Sequence, residues 1–173
     1  NTGASMSLAM SCGYLNGHDT WYVFTAPVTG SLTVDTCNSS GFDTVLQLYN
    51  GNSGCGSLTS LGCSDSGNCG GFTWYESTVS TSVTIGQLIY IQVAGYSGAQ
   101  GSFHVNLAVT PSNNDCTTAI PVSVGANGPF GNAGANMSHI DYCGYGDDHD
   151  VWFTFTGTKN GLLKLDTCGG VFD

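Results

Sequence analysis

The densest group of potential ligands in the sequence is the run Asp147-Asp148-His149-Asp150. Hard cations take several oxygen ligands, so Asp147, Asp148 and Asp150 are candidate ligands for Ca²⁺. The alternative is a polar turn that leads into a strand, in which the Asp150 carboxylate accepts backbone amides. An earlier run of the same kind, Asn16-Gly17-His18-Asp19, lacks two of the carboxylates. Apart from this possible Ca²⁺ site, we expect no cofactor.

The other groups that could react favour a structural interpretation. His18 and His149 recur at matching positions, but a zinc site needs further nitrogen or sulfur ligands. Asp35 and Asp43 could act as paired carboxylates in hydrolysis, although carboxylates at strand ends more often accept turn amides. The sequence contains no nucleophile elbow, no HExxH and no phosphate-binding loop. We therefore predict that the protein is not an enzyme.

Several aromatic residues fall in predicted loops, where a flat apolar face could stack on a sugar ring. Trp74, Tyr75 and Tyr96 are the candidate glycan-stacking residues. The alternative is that they cover the ends of a hydrophobic core. Asn38 and Asn136 begin Asn-x-Ser tripeptides and are candidate glycosylation sites.

Eight cysteines in a chain of this size indicate an oxidising, extracellular compartment. From their spacing we predict a loop staple, a bond from a strand end to that loop, and a bond that pins the first strand of a second module. The pairs are Cys55–Cys63, Cys37–Cys69 and Cys116–Cys143. On this map Cys12 and Cys168 have partners outside the sequence, or one or both bond to a neighbouring subunit.

Charge is scarce and acidic. Two basic residues stand against twelve acidic ones, and the formal net charge is −10. A nucleic acid partner requires lysine and arginine to displace its counterions, so nucleic acids and anionic membrane surfaces are excluded as partners. No apolar run is long enough to cross a bilayer, so we expect no membrane insertion.

An internal repeat organises the chain. Residues 132–173 repeat residues 1–43, and Cys143, Asp150 and Trp152 each lie 131 positions after Cys12, Asp19 and Trp21. Repeats of this kind more often build scaffolds and binding surfaces than active sites. We predict a first module over residues 1–110 that lacks its N-terminal strand, and the first third of a second module over residues 111–173.

Short segments with alternating apolar and polar residues, separated by glycine-rich turns, predict an all-β fold. The segment Leu88–Ala94 has few polar positions and is expected at the centre of a sheet. The stretch Asn50–Gly71 is rich in small residues and predicts an irregular loop. The strands predicted in the first copy are Thr20–Ala26, Ser31–Thr36, Thr44–Tyr49, Val79–Ile85, Leu88–Ala94 and Ser102–Val109, and those in the second copy are Ala119–Val124, Val151–Gly157 and Leu162–Thr167.

Several of these segments resemble bacterial pre-peptidase C-terminal-type domains. The run from Asn114 to Val122 is similar to the opening of that family, and His18–Phe24 and His149–Phe155 resemble its Asp-x-Trp strand. The resemblance implies a jelly-roll-like antiparallel β-sandwich, here a tandem repeat with both modules incomplete. Such domains are generally non-catalytic parts of secreted or cell-surface proteins.

Two functions follow. The first is a structural or adhesive extracellular repeat protein, a segment of a fibre or surface stalk whose partners are neighbouring copies of the module. The second is an accessory module of a secreted hydrolase that binds carbohydrate or protein. Glycans are candidate partners under both interpretations.

Overall fold

The computed structural model describes residues 1–14, 17–38, 41–67, 69, 75–137 and 149–168. These ranges contain nine β-strands and two short 3₁₀ helices, Tyr96–Gly98 and Cys116–Thr118. None of the described helices is long and apolar enough to cross a membrane. The strands are β1 (Gly17–Thr25), β2 (Gly30–Asp35), β3 (Thr44–Asn50), β4 (Thr59–Ser64), β5 (Thr78–Val83), β6 (Leu88–Gly95), β7 (Asn106–Pro111), β8 (Ile120–Val122) and β9 (Phe153–Phe155).

The first seven strands form an antiparallel β-sandwich. One sheet has the order β1-β6-β3-β4 and the other the order β5-β2-β7. Strand β6 lies between β1 and β3, which confirms that Leu88–Ala94 is central. Buried and exposed residues alternate along a strand because successive side chains point to opposite faces of the sheet. Leu32 and Val34 of β2 are buried, whereas Ser31 between the turn and the core is exposed.

The core between the two sheets consists of branched aliphatic side chains. Leu46 and Leu48 of β3 pack with Ile89, Ile91 and Val93 of β6, and all five are nearly inaccessible to solvent. Burial of this much apolar surface is the main force that holds the sheets together. The predicted all-β sandwich is therefore confirmed.

Strand β4 falls inside the stretch that the sequence predicted to be an irregular loop, so that prediction is wrong. Leu46 and Leu48 of β3 pair with Ser64 and Gly62 of β4. A Cβ atom at Gly62 would lie only 2.7 Å from Val79 Cγ1 of the opposite sheet. The small residues of this segment thus allow the two sheets to pack closely, and they do not indicate an irregular loop.

Residues 1–14 contain no strand and lie across the outer face of the first sheet. The Ser11 amide donates to Gln47 Oε1 (2.7 Å), and Gln92 Nε2 donates to the Leu8 carbonyl (2.6 Å). Both glutamines are buried in central strands, so the segment supplies the polar partners that a buried amide requires. The outer face of the four-stranded sheet is therefore covered.

Two disulfides are present, Cys12–Cys63 and Cys37–Cys69. The predicted Cys37–Cys69 bond occurs, but the predicted Cys55–Cys63 staple is wrong, because Cys63 is bonded to Cys12 and Cys55 is a free, exposed thiol. Cys55 lies in the loop before β4, whereas Cys63 is close to the far end of that strand and pairs with Gln47.

The segment of residues 1–14 instead brings Cys12 to Cys63, so the prediction that Cys12 has a partner outside the sequence is also wrong. Cys55, Cys116 and Cys168 are exposed free thiols. Because Cys116 is free, the structure does not contain the predicted Cys116–Cys143 bond, and Cys143 itself lies outside the described residues.

The C-terminal part of the chain contains a small parallel sheet of β8 and β9. The buried Asn113 side chain donates to the Trp152 carbonyl (3.0 Å), and the Trp152 amide donates to the Asn113 carbonyl (2.8 Å). Gly134 has φ +77°, and a Cβ there would lie 1.7 Å from the Val109 carbonyl oxygen. Close contact at this point therefore requires glycine.

No strand forms over the predicted segment Leu162–Thr167, so this prediction is wrong. Leu162 is 99% exposed and Leu165 is 81% exposed. The corresponding strand of the first copy, β2, is paired on both sides by β5 and β7. The 173 residues contain no second copy of β5 or β7. Without these partners the segment has neither a ladder nor a core to join.

Candidate functional site

The repeated His-Asp-x-Trp motif forms a closed polar network on the covered face of the sheet. The buried Asp19 carboxylate accepts hydrogen bonds from the Ser7 hydroxyl (2.7 Å), Gln92 Nε2 (2.8 Å) and Trp21 Nε1 (3.0 Å). The hydroxyl of Tyr49 donates to Gln92 Oε1 (2.7 Å), and its ring stacks on Trp21 at 5.5 Å. All the described hydrogen bonds to the Asp19 carboxylate thus come from groups of the protein itself.

The electrostatics of this network hold Asp19 as a carboxylate. Burial alone raises the pKa of Asp19, but the hydrogen bonds from Ser7, Gln92 and Trp21 outweigh it, and the pKa of Asp19 is lowered. Burial, together with the charge of Asp19, raises the pKa of Tyr49 to about 12. The network anchors residues 1–14 on the sheet.

The second copy of the motif makes equivalent contacts. Asn1 Nδ2 donates to the His18 carbonyl (2.6 Å), and Asn132 Nδ2 donates to the His149 carbonyl (3.1 Å). The ring of His18 is hydrogen-bonded through Nδ1 to the Ala4 carbonyl. The hydrogen bond from an asparagine side chain to the histidine carbonyl therefore recurs in both copies.

Of the predicted Ca²⁺ ligands, Asp150 is half-buried beside this loop, whereas Asp147 and Asp148 lie outside the described residues. The calcium site stays a prediction.

Asp35 has the role of a turn carboxylate. It accepts hydrogen bonds from the Cys37 amide (2.9 Å) and from Asn106 Nδ2 (2.7 Å). Among the described residues, Cys37, Cys69 and Glu76 come close enough together to hold a metal ion. The two sulfur atoms form a disulfide, so they offer no thiolate ligand. The candidate ligand-binding groups at this end of the sandwich are therefore its acidic and aromatic side chains.

Two of the predicted glycan-stacking residues, Tyr75 and Tyr96, flank one peptide unit at the start of β3. The Thr44 amide donates to the Tyr75 carbonyl (2.8 Å), and the Tyr96 amide donates to the Asp43 carbonyl (2.9 Å). These two groups of the Asp43–Thr44 peptide point in opposite directions, so the tyrosines lie on either side of it. Neighbouring chains in a sheet are about 4.8 Å apart, which places the two tyrosine backbones about 10 Å apart.

Tyr75 and Tyr14 contribute exposed aromatic surface at this end of the sandwich. The Tyr75 residue is 62% exposed and Tyr14 is 60% exposed. The ring of Tyr14 lies 6.4 Å from that of Tyr96, and the Tyr14 carbonyl accepts the Ser97 amide. Trp74, the third predicted stacking residue, lies outside the described residues.

Asp43 belongs to the peptide that lies between the backbones of Tyr75 and Tyr96. Its Oδ1 atom is buried and has no hydrogen-bond partner. Burial raises the pKa of Asp43, and the negative charge of Asp65 raises it further. A carboxylate oxygen without a donor is costly unless a ligand, an ion or water supplies one. From the sequence, Asp43 could be identified only as a possible partner of Asp35.

We define Tyr14, Tyr75, Tyr96, Asp43 and Asp65 as the loop-end cluster. A depression of about 470 Å³ at the opposite end of the sandwich is lined by small and uncharged residues, among them Thr29, Gln87 and Ser112. That depression has no aromatic or charged lining residue, so the loop-end cluster is the stronger candidate for recognition of a ligand.

The two candidate glycosylation residues are exposed but differ in surroundings. Asn38 lies in the turn after β2 with φ +59°. Asn136 accepts a hydrogen bond at Oδ1 from Asn114 Nδ2 (2.6 Å), and its amide donates to Asn114 Oδ1 (2.8 Å). Asn136 thus helps to hold the C-terminal part of the chain in place, and glycosylation of either residue stays a prediction.

Comparison with known proteins gives a family for most of the chain. A family model described as galactose binding domain-like, and associated with the type IX secretion system (T9SS), matches residues 1–97 and 112–172. No curated protein sequence and no solved structure gives a match. The resemblance to pre-peptidase C-terminal-type domains is not shown by these comparisons, although both families are β-sandwiches of secreted proteins. The chain belongs to the T9SS-associated, galactose binding domain-like family.

Proposed function

We propose that this protein is a non-catalytic extracellular module that binds a glycan at the loop-end cluster. The observation that carries the proposal is the buried, unpaired Oδ1 of Asp43, a residue whose peptide lies between the backbones of Tyr75 and Tyr96. The family description supports a carbohydrate ligand and a secreted protein. The two disulfides support an oxidising environment.

The chemistry of the cluster suits a sugar. The apolar face of a pyranose stacks on an aromatic ring, and its hydroxyl groups donate hydrogen bonds to a carboxylate. Tyr75 offers an exposed ring, and Asp43 offers an acceptor that the protein leaves unused. A sugar hydroxyl that donates to Asp43 would remove the free-energy cost of the unpaired carboxylate oxygen. This gain would favour binding of the sugar.

The proposal is tested on a glycan array with galactosides and bacterial polysaccharides, followed by calorimetry on the best ligand. Tyr75→Ala and Asp43→Asn should each weaken binding by about tenfold or more, because the first removes the stacking ring and the second replaces a charged acceptor with a neutral amide oxygen. The matched control is Ile85→Ala, which removes an exposed apolar side chain at the opposite end of the sandwich. If both loop-end variants bind as the unaltered protein does, the site is wrong. If no glycan binds, the ligand class is wrong.

A second candidate function, a structural repeat of a fibre or surface stalk, is supported by the docking of the C-terminal part on the sandwich. Gly134 packs against Val109, and a Cβ at Gly131 would lie 2.8 Å from Val28 Cγ1. We place the module boundary between residues 110 and 111. Close contact at the junction would limit bending between modules. Electron microscopy of the native protein distinguishes the functions, since an extended array of modules is expected only for a stalk.

A further inference from the structure

A buried carboxylate lies beside one of the two disulfides. Glu76 is the only glutamate in the sequence, and it is 6% exposed. A carboxylate oxygen of Glu76 and the sulfur atoms of Cys37 and Cys69 all lie within 4.8 Å of one another. In the part of the chain that the structure describes, no histidine or carboxylate comes as close to both sulfur atoms of Cys12–Cys63. The two disulfides therefore differ in their electrostatic surroundings.

The backbone on both sides of Glu76 is fixed by the ends of two neighbouring strands. The Thr36 amide donates to the Ser77 carbonyl (3.0 Å), and the Ser77 amide donates to Thr36 Oγ1 (2.8 Å). The Ser77 hydroxyl donates to the Thr44 carbonyl (2.6 Å), and the Thr44 amide donates to the Tyr75 carbonyl (2.8 Å). Thr36, Thr44 and Ser77 are fully buried, so this network holds Glu76 in place beside the disulfide.

The sandwich supplies no lysine or arginine that could neutralise Glu76. Residues 1–110 contain neither residue type, and the two lysines of the chain, Lys159 and Lys164, are exposed. An ion pair with one of these side chains therefore does not account for the burial of a carboxylate at this position. The negative potential of Glu76 reaches the sulfur atoms without a neighbouring ammonium or guanidinium group to offset it.

Reduction of a disulfide by thiols begins with the attack of an anion. A thiolate forms a bond to one cysteine sulfur, the Cys37–Cys69 bond breaks, and the other cysteine leaves as a thiolate that takes a proton from water. A second thiolate attacks the mixed disulfide and releases the first cysteine, so that two thiol groups are oxidised to a disulfide while the protein disulfide is reduced. The Glu76 carboxylate repels the negative charge as the thiolate approaches and as the cysteine leaves.

We propose that the Glu76 carboxylate protects the Cys37–Cys69 disulfide against reduction and exchange by thiols. The bond joins the segment after β2 to the segment after β4, which belong to opposite sheets, so its protection keeps the two sheets tied at the loop end. All four bonded cysteines are half-buried, so burial alone does not distinguish this bond from Cys12–Cys63. The inference is independent of the glycan proposal.

The experiment measures the rate at which each disulfide of the whole chain is reduced by dithiothreitol at a fixed pH. The other four cysteines, Cys55, Cys116, Cys143 and Cys168, are first changed to serine. Thiols are alkylated at timed intervals, and peptide mass spectrometry assigns them to one bond or the other. We expect Glu76→Gln to increase the rate at Cys37–Cys69 by about tenfold, because it removes a repulsion between charges about 5 Å apart near the protein surface. The rate at Cys12–Cys63 should not change.

A neutral reductant separates electrostatic protection from a loss of structure. Tris(hydroxypropyl)phosphine brings no negative charge to the sulfur atoms, so Glu76→Gln should change its rate by less than about twofold. Asp115→Asn is the matched control, because Asp115 is exposed and follows the end of β7 that pairs with the start of β2, whereas Cys37 follows the end of β2. This variant should keep the original rates. An unchanged rate with dithiothreitol in Glu76→Gln, or an equal acceleration by both reductants, would overturn the proposal.

Discussion

Substitution of Asp19 tests whether the repeated motif anchors residues 1–14 on the sheet. Most of the hydrogen bonds go to one carboxylate oxygen, Oδ2, which is bonded to Ser7, Gln92 and Trp21. In Asp19→Asn an amide oxygen can take the place of Oδ2, but it carries no full charge. Hydrogen bonds to charged groups contribute about 1.5–3 kcal/mol and neutral ones about 1 kcal/mol, so three weakened bonds should cost about 2 kcal/mol.

Asp19→Ala should lower the free energy of unfolding by more than Asp19→Asn does. The loss should still be smaller than the number of hydrogen bonds to Asp19 suggests. Gln92 Nε2 keeps the Leu8 carbonyl as an acceptor, and Trp21 Nε1 keeps the Ser7 hydroxyl. The Ser7 amide and hydroxyl are the donors that depend most on Asp19. Loss of these bonds, together with a small cavity, should lower the free energy of unfolding by about 4 kcal/mol.

The pH dependence of stability distinguishes the contribution of the charge of Asp19 from that of its size and hydrogen-bonding geometry. Because the pKa of Asp19 is lowered in the folded state, its contribution is complete above the unfolded pKa of about 3.9. It is lost as the pH falls through the lower folded pKa. The difference in stability between the unaltered protein and Asp19→Asn should therefore be constant near neutral pH and shrink below about pH 4.

The assay is urea unfolding with the disulfides intact, followed by tryptophan fluorescence, with hydrogen exchange at the Ser7 amide as a local readout. Asp115→Asn, which removes one exposed charge, serves as the control. A loss in Asp19→Asn below about 0.5 kcal/mol, or a loss that does not change with pH, would contradict an anchoring role for the carboxylate.

Two further predictions concern the covalent and steric constraints. Cys12→Ser with Cys63→Ser opens a loop of sequence separation 51, and should lower the free energy of unfolding by about 4 kcal/mol in a urea titration; an unchanged midpoint would show that this bond is dispensable. Gly134→Ala should release the C-terminal part of the chain from Val109 and expose it to limited proteolysis, whereas Gly3→Ala, at the equivalent position with a similar φ but open space, should not. Equal proteolysis of both glycine variants would refute the steric argument.

The sequence was sufficient to predict the sandwich, because alternation and burial are local properties of a strand. Leu32 and Val34 show this in β2. Strand β4 was missed because its glycine, serine and cysteine residues have weak strand preference, and its pairing with β3 depends on packing between sheets. The strand predicted over Leu162–Thr167 failed for the complementary reason, since a suitable pattern cannot form a strand without partners.

The candidate site was predictable in its residue types but not in its arrangement. Loop tyrosines such as Tyr75 and Tyr96 could be identified from their surroundings in the sequence. Their placement on either side of the Asp43–Thr44 peptide results from long-range pairing that no local pattern encodes. The Cys12–Cys63 bond was missed for the same reason, because the path of residues 1–14 is set by polar contacts with distant glutamines.

The covered outer face of the first sheet explains why recognition of a ligand is expected at an end of the sandwich. Gln47 and Gln92 would make the outer face of the first sheet a polar surface suited to a ligand, but residues 1–14 occupy both amides. The inner face is filled by the aliphatic core. The loop end then keeps a polar group without a partner, the buried Oδ1 atom of Asp43.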